Sequence, residues 1–367
     1  MASGAMIRVH VLTDRMSSHN TRAFLIPLLR NRGRLQDLGI ALDIFYRVEP
    51  ALRECDAIMV NEKYYGARWR SEAERILEEL EGFAAATRAV LYCDIRASTG
   101  LIRADVLPRV TLYLKSQLLR DRSLYAKSFY GGRIFTDYYH RTAGVIDSRP
   151  QYSSPVTDPA QLKKLRISWN MGLVNYRVLG SRLATLYRHL PLKAPLHWSG
   201  GFCSPSTDRP QVASCRIGTS YDRETVAHQR LAIRDALRTH VATKWVSRRE
   251  YLRELTRSKV AVSPFGWGEY TVRDYEAFLC GALLLKPDMS HLETYPDFYQ
   301  DGKTMVAHRW DLCDLEEKLE IILADYDDYV TIAQAGQELY RHHFATREGR
   351  EEFACCFHGI VADALNG

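Results

Sequence analysis

The sequence predicts an α/β fold made of two domains, each built around a parallel sheet. Short segments rich in β-branched residues alternate with longer amphipathic segments along the chain, which is typical of strand-helix-strand units. The length of 367 residues favours two domains of ordinary size. A hydrophobic share of 46% is enough for two cores and excludes a disordered chain.

In the N-terminal half, strands are predicted where β-branched and apolar residues alternate or form short runs. These strands are residues 7–13, 41–46, 57–60 and 89–93. Helical spacing of apolar residues predicts helices at 21–32 and 71–85. A helix is also expected within 113–122, and residues 162–190 are interpreted as a helical bridge that ends at a proline-rich segment.

The same alternation continues in the C-terminal half. Strands are predicted at 212–218, 241–246 and 260–263, with helices at 223–238 and 250–257. A short helix at 270–279 is followed by a buried strand at 281–287, and the chain ends in a helix from residue 346 onwards. We place the domain boundary near 190–200.

Residues 263–287 are the most informative segment of the chain. The loop from Pro264 to Gly268 can turn sharply and approach a ligand, because Gly266 and Gly268 carry no side chain. The following helix offers its positive amino end to an anion. Arg273 and Glu276 share one face of that helix, either as a simple intrahelical pair or as a cation and a carboxylate facing a ligand. The combination suits a nucleotide-sugar.

This segment resembles the donor-binding region of GT-B glycosyltransferases with a group-1-like C-terminal domain. The resemblance extends from about residue 245 to about 345, and its order is more specific than any single motif. The matching residues are Ser263, Pro264, Gly266, Arg273, Glu276, Ala277, Cys280, Gly281 and Ala282, followed by Asp301-Gly302-Lys303, Asp311-Leu312, Ile332-Ala333 and Gly336.

The resemblance implies two Rossmann-like, doubly wound domains that face each other across a cleft. Residues 1–190 would form the acceptor domain and 191–345 the donor domain, while 346–367 would form a helix that crosses back to the N-terminal domain. The enzyme would move a sugar from a nucleotide-sugar to a carbohydrate, glycoconjugate or lipid-linked acceptor without a metal ion.

The resemblance also assigns roles to residues of the donor domain. Glu276 would bind the two ribose hydroxyls and Arg273 the diphosphate, where a guanidinium supplies a bidentate fork. Tyr270 and Thr271 lie at the start of the phosphate-binding helix. Further candidates follow predicted strands at the sheet edge where open α/β sheets bind ligands. Trp245 and Val246 would lie beside the nucleobase, although Trp245 could instead pack in the core. Arg216 and Arg223 would lie near the phosphates.

One departure from the family pattern leaves the stereochemistry open. Many retaining members carry a second glutamate eight residues before the position of Glu276, and here Gly268 occupies that position, with Glu269 one place away. An inverting transfer needs a base near the acceptor hydroxyl. The candidates are Asp14, His19 and Asp94, each of which could instead be a helix cap or a turn residue, and His140, whose segment could instead be an amphipathic scaffold that covers the sheet.

No metal site is predicted. Asp325-Tyr326-Asp327 has an Asp-x-Asp form but falls between two predicted helices, and His342-His343 and Cys355-Cys356 lack ligand spacing. The eight cysteines form no CxxC pair and fall mostly in apolar runs, as expected for free thiols in a cytoplasmic protein.

The net charge of +6 is mildly basic, and basic residues are dispersed, which argues against nucleic-acid binding. Arginines at 22, 30, 32 and 34 flank an apolar helix, so peripheral contact with an anionic membrane is a further expectation. Two alternatives to a glycosyltransferase stay open from the sequence. One is another nucleotide-sugar enzyme, an epimerase or hydrolase, and the other is a non-catalytic basic module that binds a membrane surface.

Overall fold

A computed structural model describes residues 6–176, 196 and 200–367. In its N-terminal half the elements follow in this order: β1 (Ile7–Leu12), α1 (His19–Arg30), α2 (Arg32–Asp37), β2 (Ile40–Phe45), β3 (Ala57–Asn61), α3 (Glu62–Tyr65), α4 (Ala73–Ala86), β4 (Ala89–Asp94), β5 (Leu112–Lys115), β6 (Gln117–Leu119), α5 (Ile134–Ala143) and β7 (Leu165–Ile167). Short 3-10 turns occur at Pro50–Arg53, Gly66–Arg70, Leu107–Arg109, Arg122–Ala126, Pro159–Lys164 and Met171–Leu173.

The N-terminal sheet is parallel and has the strand order β2-β1-β3-β4-β5-β7. The order reverses between β1 and β3, so the sheet is doubly wound. In such a sheet the crevice for ligands lies outside the carboxyl ends of the strands at the reversal. The loop after β1 and the loop after β4 therefore lie at the edge that can face a substrate.

The C-terminal half contains β8 (Gln211–Ser214), α6 (Glu224–Ala236), α7 (Arg248–Leu255), β9 (Ser258–Val262), α8 (Val272–Cys280), β10 (Leu283–Pro287), β11 (Leu292–Thr294), β12 (Val306–His308), α9 (Leu315–Ala324), α10 (Tyr326–Ala345) and α11 (Arg347–Asn366). Its sheet is parallel, in the order β12-β10-β9-β8.

Helices cover both faces of the C-terminal sheet. Val260, Val262 and Leu283 belong to a core with residues of α6, α9 and α10, whereas Ala261 and Leu284 pack in the core that includes residues of α7 and α8. Successive residues of a strand point to opposite faces, so these strands read as continuous apolar runs. The α/β class with two Rossmann-like parallel sheets is confirmed.

The two halves meet along a packed seam. Strand β6 of the N-terminal half pairs antiparallel with β11 of the C-terminal half, with Gln117 opposite Thr294. The last helix, α11, packs on the N-terminal half, where Phe353 and Phe357 contact Trp169 edge-on. One apolar core runs through both halves. The expected cleft is therefore closed at these contacts.

Three sequence-based expectations about elements are wrong in the described residues. Residues 113–122 contain β5 and β6 rather than a helix, and 241–246 form no strand. The expected helical bridge begins instead with a 3-10 turn and β7, and its part from 177 to 190 lies outside the described residues, as does the boundary at 190/191.

The membrane expectation for α1 is not supported. Its apolar residues from Ala23 to Leu29 are buried in the core, so they present no apolar face to a lipid surface. Arg30 is buried as well, and Arg32 pairs with Asp43 at 2.7 Å. Among the described residues, no helix combines the length and the apolar character that crossing a bilayer requires.

Candidate functional site

The loop between β9 and α8 lies at the carboxyl edge of the C-terminal sheet. It turns through a hydrogen bond from the Gly266 N–H to the Gly268 carbonyl, at 2.9 Å. Phe265 is buried, and its N–H donates to Oε1 of Gln229 on α6 at 2.9 Å. The loop is thus fixed against α6 and places residues 266–268 at the seam between the two halves.

The amino end of α8 already carries a carboxylate. Thr271 caps the helix, and its N–H donates to Oδ2 of Asp274 at 2.9 Å. Asp274 is buried and also pairs with the Lys286 ammonium at 3.3 Å and accepts from the Tyr299 hydroxyl at 2.9 Å. A phosphate at this helix end would meet the like charge of Asp274, so the expected phosphate cradle is filled from within the chain.

Tyr270 and Thr271 accordingly have roles other than donor contacts in this structure. The Tyr270 hydroxyl donates to Oγ of Ser116 in the N-terminal half at 2.7 Å. Thr271 serves as the cap of α8. Both residues therefore hold the seam and the helix start, and nothing in their geometry points to a nucleotide.

Glu276 is 4% exposed and lies under the side chain of Arg248. Nη1 of Arg248 is 2.5 Å from Oε1 of Glu276, and Nη2 of the same guanidinium donates to the Tyr176 carbonyl at 2.6 Å. Burial raises the pKa of Glu276, and the charges of Arg248 and Arg273 partly oppose that shift. The predicted ribose ligand is thus a buried carboxylate covered by a partly exposed cation.

Sequence reasoning missed Arg248. It is the first residue of α7, which begins with a capping box between Ser247 and Glu250. The Ser-x-x-Glu pattern identifies this helix start in the sequence, and it places the side chain of the first residue near the sheet edge. The 28-residue separation from Glu276 leaves no local signal of their pairing.

Arg273 and Arg216 brace the loop that follows β8. Arg273 donates to the Arg216 carbonyl, and its guanidinium carbon lies 5.0 Å from the centre of the Tyr251 ring. The Arg216 side chain pairs with Glu254 at 2.6 Å and donates to the Lys244 carbonyl at 2.9 Å. The charge of Arg216 is therefore already compensated, which disfavours it as a phosphate ligand.

Arg230, on α6, is a second cation that the sequence analysis missed. It is buried, and it donates to the Gly218 and Phe265 carbonyls, each at 2.6 Å. Its Nη1 lies 3.9 Å from where a side chain on Gly266 would begin. Burial lowers the pKa of Arg230 to about 10, so the side chain stays charged at neutral pH.

Arg223 and Arg133 approach the same loop from opposite sides of the seam. Both donate to the Gly131 carbonyl, Arg133 at 2.7 Å and Arg223 at 2.8 Å. Arg133 also donates to the Trp267 carbonyl at 2.6 Å. Among the ion pairs of the described residues, none involves either arginine. Burial and the neighbouring Arg223 lower the pKa of Arg133 to about 10.

Trp245 and Val246 lie in the irregular segment just before α7. Trp245 is 85% exposed, so the alternative of core packing is wrong for this residue. Trp267, in the 264–268 loop, is 44% exposed and contacts the Tyr221 ring at 5.3 Å between centroids. Two indole rings are thus presented to solvent at the carboxyl edge of the C-terminal sheet.

Gly268 and Glu269 belong to the seam. A side-chain carbon on Gly268 would lie 1.9 Å from the carbonyl oxygen of Ala97, so glycine is needed for close packing with the N-terminal half rather than with a ligand. Glu269 is fully buried and accepts from the Thr99 N–H at 3.1 Å and from Nε2 of Gln117 at 3.3 Å. Burial raises its pKa.

The four candidate bases lie on separate elements. Asp14 accepts from the Ser17 N–H at 2.9 Å, as a turn residue would. His19 is the exposed first residue of α1. His140, on α5, donates from Nδ1 to the Val145 carbonyl at 2.8 Å and stacks on Tyr130.

Asp94 is held in a buried ionic network. It is fully buried, and it lies 2.7 Å from the Arg96 guanidinium, 3.1 Å from the Lys115 ammonium and 2.7 Å from the Tyr113 hydroxyl. Although burial alone would raise its pKa, the two cations hold that pKa well below its usual value. A carboxylate with so little proton affinity is a poor base, so this geometry opposes the role expected for Asp94.

The residues that the sequence analysis excluded as metal ligands have defined positions in the structure. Asp325 joins α9 to α10, and the neighbouring Tyr326 is buried. His342, His343 and Glu352 place one ligand atom each within 4.8 Å of one another at the junction of α10 and α11. The spacing of residues in the sequence did not indicate the group of His342, His343 and Glu352, because Glu352 lies on the next helix.

Comparison with known proteins agrees with the resemblance in the C-terminal half. Residues 205–350 match a family model described as glycosyl transferase-like, which confirms the recognition of a glycosyltransferase domain there. No curated protein matches the chain. Among solved structures, Anabaena Alr3699/HepE in complex with UDP-glucose is 11% identical, with a TM-score of 0.43 over 96% of this chain and 100% of that chain.

Two further structures are similar at the same low level. A glycosyltransferase from Rickettsia africae ESF-5 is 9% identical, with a TM-score of 0.44 over 98% of this chain and 99% of that chain. Sucrose-phosphate synthase from Thermosynechococcus elongatus is 12% identical, with a TM-score of 0.43 over 97% and 99%.

Proposed function

We propose that this chain, a glycosyltransferase by the family match of residues 205–350, transfers a sugar from a nucleotide-sugar to a carbohydrate or glycoconjugate acceptor without a metal ion. The observation that carries the proposal is the group of arginines around the 264–268 loop, together with the buried carboxylate of Glu276 on the helix that follows this loop. The donor binds the C-terminal half and the acceptor, which includes lipid-linked sugars as a class, binds the N-terminal half. We place the reaction in the cytoplasm.

The ribose of the donor takes the position that Arg248 occupies in this structure. Arg248 covers Glu276 and opposes the raised pKa that burial gives it, and a ribose offers two hydroxyl donors to the same carboxyl group. Because the Arg248 side chain is 40% exposed, it can turn towards solvent when the nucleotide enters. The guanidinium of Arg248 thus offsets part of the cost of burying the carboxylate until the ribose hydroxyls replace it.

The diphosphate lies beside the 264–268 loop, among Arg133, Arg223 and Arg230. Three guanidinium groups near one loop repel each other, and a diphosphate removes that repulsion. During transfer, negative charge develops on the leaving diphosphate, and fixed cations stabilise it there. Their charges supply what a divalent cation supplies in metal-dependent transferases, which is why we propose a metal-independent reaction.

The exposed indole of Trp245 stacks on the nucleobase. It follows Lys244, whose carbonyl is held by Arg216, and it precedes the capped start of α7, so its backbone is fixed on both sides. Stacking on an aromatic face tolerates different bases. The nucleobase itself is then selected by backbone groups near Val246.

A panel of nucleoside diphosphates tests the proposal. A ligand that binds only the native state raises the apparent stability of the protein, so at least one diphosphate should raise the melting temperature in the presence of EDTA. Sugar transfer from the matching nucleotide-sugar should then depend on an added acceptor. Release of free sugar without an acceptor would indicate a hydrolase, and interconversion of the donor sugar an epimerase; either result contradicts transfer.

Arg230→Gln should weaken nucleoside diphosphate binding by about tenfold or more, because charge-assisted hydrogen bonds to phosphate contribute about 1.5–3 kcal/mol. The control is Arg234→Gln, on the same helix, whose side chain pairs with Asp235 at the surface. Calorimetric titration of both variants compares their dissociation constants. Equal affinities would exclude Arg230 from the phosphate site.

Arg248→Ala should make stability fall as the pH rises. The variant loses the cation that most opposes the raised pKa of Glu276, so that pKa moves further above its ordinary value of 4.5. Between these two values the folded protein binds a proton that the unfolded chain has released, and the free energy of unfolding therefore decreases with rising pH.

Urea unfolding from pH 4 to pH 8 measures this effect. The difference between wild type and Arg248→Ala should be small below pH 4.5 and should grow above it. The exposed neighbour Arg249, changed to alanine, is the control and should follow the wild type. A difference that does not vary with pH would show that Arg248 does not set the charge of Glu276.

A further inference from the structure

A second group of arginines lies where α1 and α2 meet the last two helices. Arg30, in the last turn of α1, is 6% exposed, and its guanidinium carbon lies 4.5 Å from the centre of the Phe344 ring. Its Nε is buried and has no hydrogen-bond partner in the part of the chain that the structure describes. Burying even part of a guanidinium without a hydrogen-bond partner is costly, since buried charges are normally paired.

Two neighbouring polar atoms are also buried without a hydrogen-bond partner among the described residues. They are Nε of Arg34, on α2, and Oδ1 of Asn31. Buried polar atoms nearly always have partners, so three orphans within residues 30–34 indicate a missing ligand or ordered water. Two of these three atoms belong to cations, which favours an anion over water alone.

The charges around Arg30 are mainly positive. Burial, together with the charges of Arg350 and Arg34, lowers the pKa of Arg30 to about 10. Arg350, on α11, donates to the Thr346 carbonyl at 3.1 Å. Burial, Arg34 and Arg347 lower the pKa of Arg350, while Glu348 and Glu351 oppose that shift. The carboxylate of Glu351 is nearby but pairs with Arg347 at 2.7 Å. No ion pair of the described residues includes Arg30, Arg34 or Arg350.

We propose that Arg30, Arg34 and Arg350 form a binding site for a phosphate group. The guanidinium fork matches phosphate oxygens, and a doubly charged phosphate offsets more of the three positive charges than a carboxylate does. The stacking of Arg30 on Phe344 fixes one fork before the ligand arrives. This site is built from α1, α2 and α11 and does not depend on the proposed donor site in the C-terminal half.

The test is the response of the full chain to inorganic phosphate. In a phosphate-free buffer, Arg34→Gln and Arg350→Gln should raise the melting temperature, because each removes a repelling charge. Addition of 10 mM phosphate, on the order of ten times a millimolar dissociation constant, should raise the wild-type value by about 2 °C and either variant by much less. Arg32→Gln, also on α2 but paired with Asp43, is the control and should respond like the wild type.

Two results would overturn the proposal. One is a response of Arg34→Gln and Arg350→Gln to phosphate equal to that of the wild type. The other is a fall in their melting temperature without phosphate, which indicates that these arginines stabilise the fold by themselves. Arg230→Gln, which removes a cation from the proposed diphosphate position of the donor site, should keep the wild-type response to phosphate, and this separates the two sites.

A second probe distinguishes a lipid headgroup from a soluble phosphate ester as the ligand. Vesicles of phosphatidylcholine with phosphatidic acid are mixed with the protein and sedimented, with pure phosphatidylcholine as the blank. Sedimentation that Arg34→Gln abolishes identifies a lipid headgroup as the ligand. A response to inorganic phosphate without sedimentation identifies a soluble phosphate ester.

Discussion

Replacing Glu276 by glutamine should reduce both nucleotide affinity and sugar transfer by about 100-fold, which corresponds to about 2.7 kcal/mol. A carboxylate accepts hydrogen bonds from both ribose hydroxyls, whereas an amide offers one acceptor oxygen and two donors. The amide also leaves Arg248 without its charged partner, so the guanidinium no longer returns to the same position. The loss should therefore appear in the dissociation constant of the nucleoside diphosphate as well as in the rate of transfer.

A matched control separates binding from folding. Glu62 is also a buried carboxylate, 3.5 Å from Arg103 in the N-terminal half, and Glu62→Gln tests the general effect of removing such a charge. We expect Glu62→Gln to keep wild-type affinity for the nucleotide. Calorimetric titration and initial rates on both proteins make the comparison, and an unchanged dissociation constant for Glu276→Gln would remove the basis of the proposed donor site.

The order of elements in residues 263–287 was predictable because local signals set it. Thr271 and Asp274 form a capping box at the start of α8, and Gly281 ends that helix with φ of +68°, a conformation that suits glycine. The following apolar run is buried on both faces, as expected for a central parallel strand. Each signal lies within a few residues of the element that it defines.

The partners of the predicted residues were not predictable in this way. Arg248 reaches Glu276 across 28 residues, and Arg133 reaches Trp267 across 134. A single arginine on an amphipathic helix looks the same in the sequence whether it faces solvent or a buried carboxylate. The sequence therefore predicted Glu276 and the 264–268 loop as site candidates, while Arg248, Arg133 and Arg230 were found only in the fold.

The error at residues 113–122 has a different cause. All four residues of β5 are buried, including Lys115, so the segment shows neither the alternation of a half-buried strand nor a polar helix face. Short apolar runs of this kind do not distinguish strand from helix. Lys115 is tolerated inside the sheet because it pairs with Asp94. Asp94 is the residue that the sequence analysis proposed as a base.

Gly268→Ala should destabilise the protein by about 1–3 kcal/mol, the usual cost of forcing extra atoms into a packed region. The added carbon would lie 1.9 Å from the Ala97 oxygen and 2.6 Å from its carbonyl carbon, both backbone atoms of the N-terminal half. A backbone contact cannot be relieved by a side-chain rotation, so the two halves must move apart at this point. The hydrogen bonds of Glu269 to Thr99 and Gln117 should weaken with them.

Gly359→Ala is the matched control, because this glycine lies inside α11 with no atom within 4 Å of the position of an added carbon. Alanine is favoured over glycine in a helix by about 0.5–1 kcal/mol, so the control should be neutral or stabilising. Urea unfolding of the two variants should thus give shifts of opposite sign. If the seam is open for much of the time in solution, Gly268→Ala will instead match the wild type in stability, and the closed contact between the 264–268 loop and Ala97 cannot be the main state of the free protein.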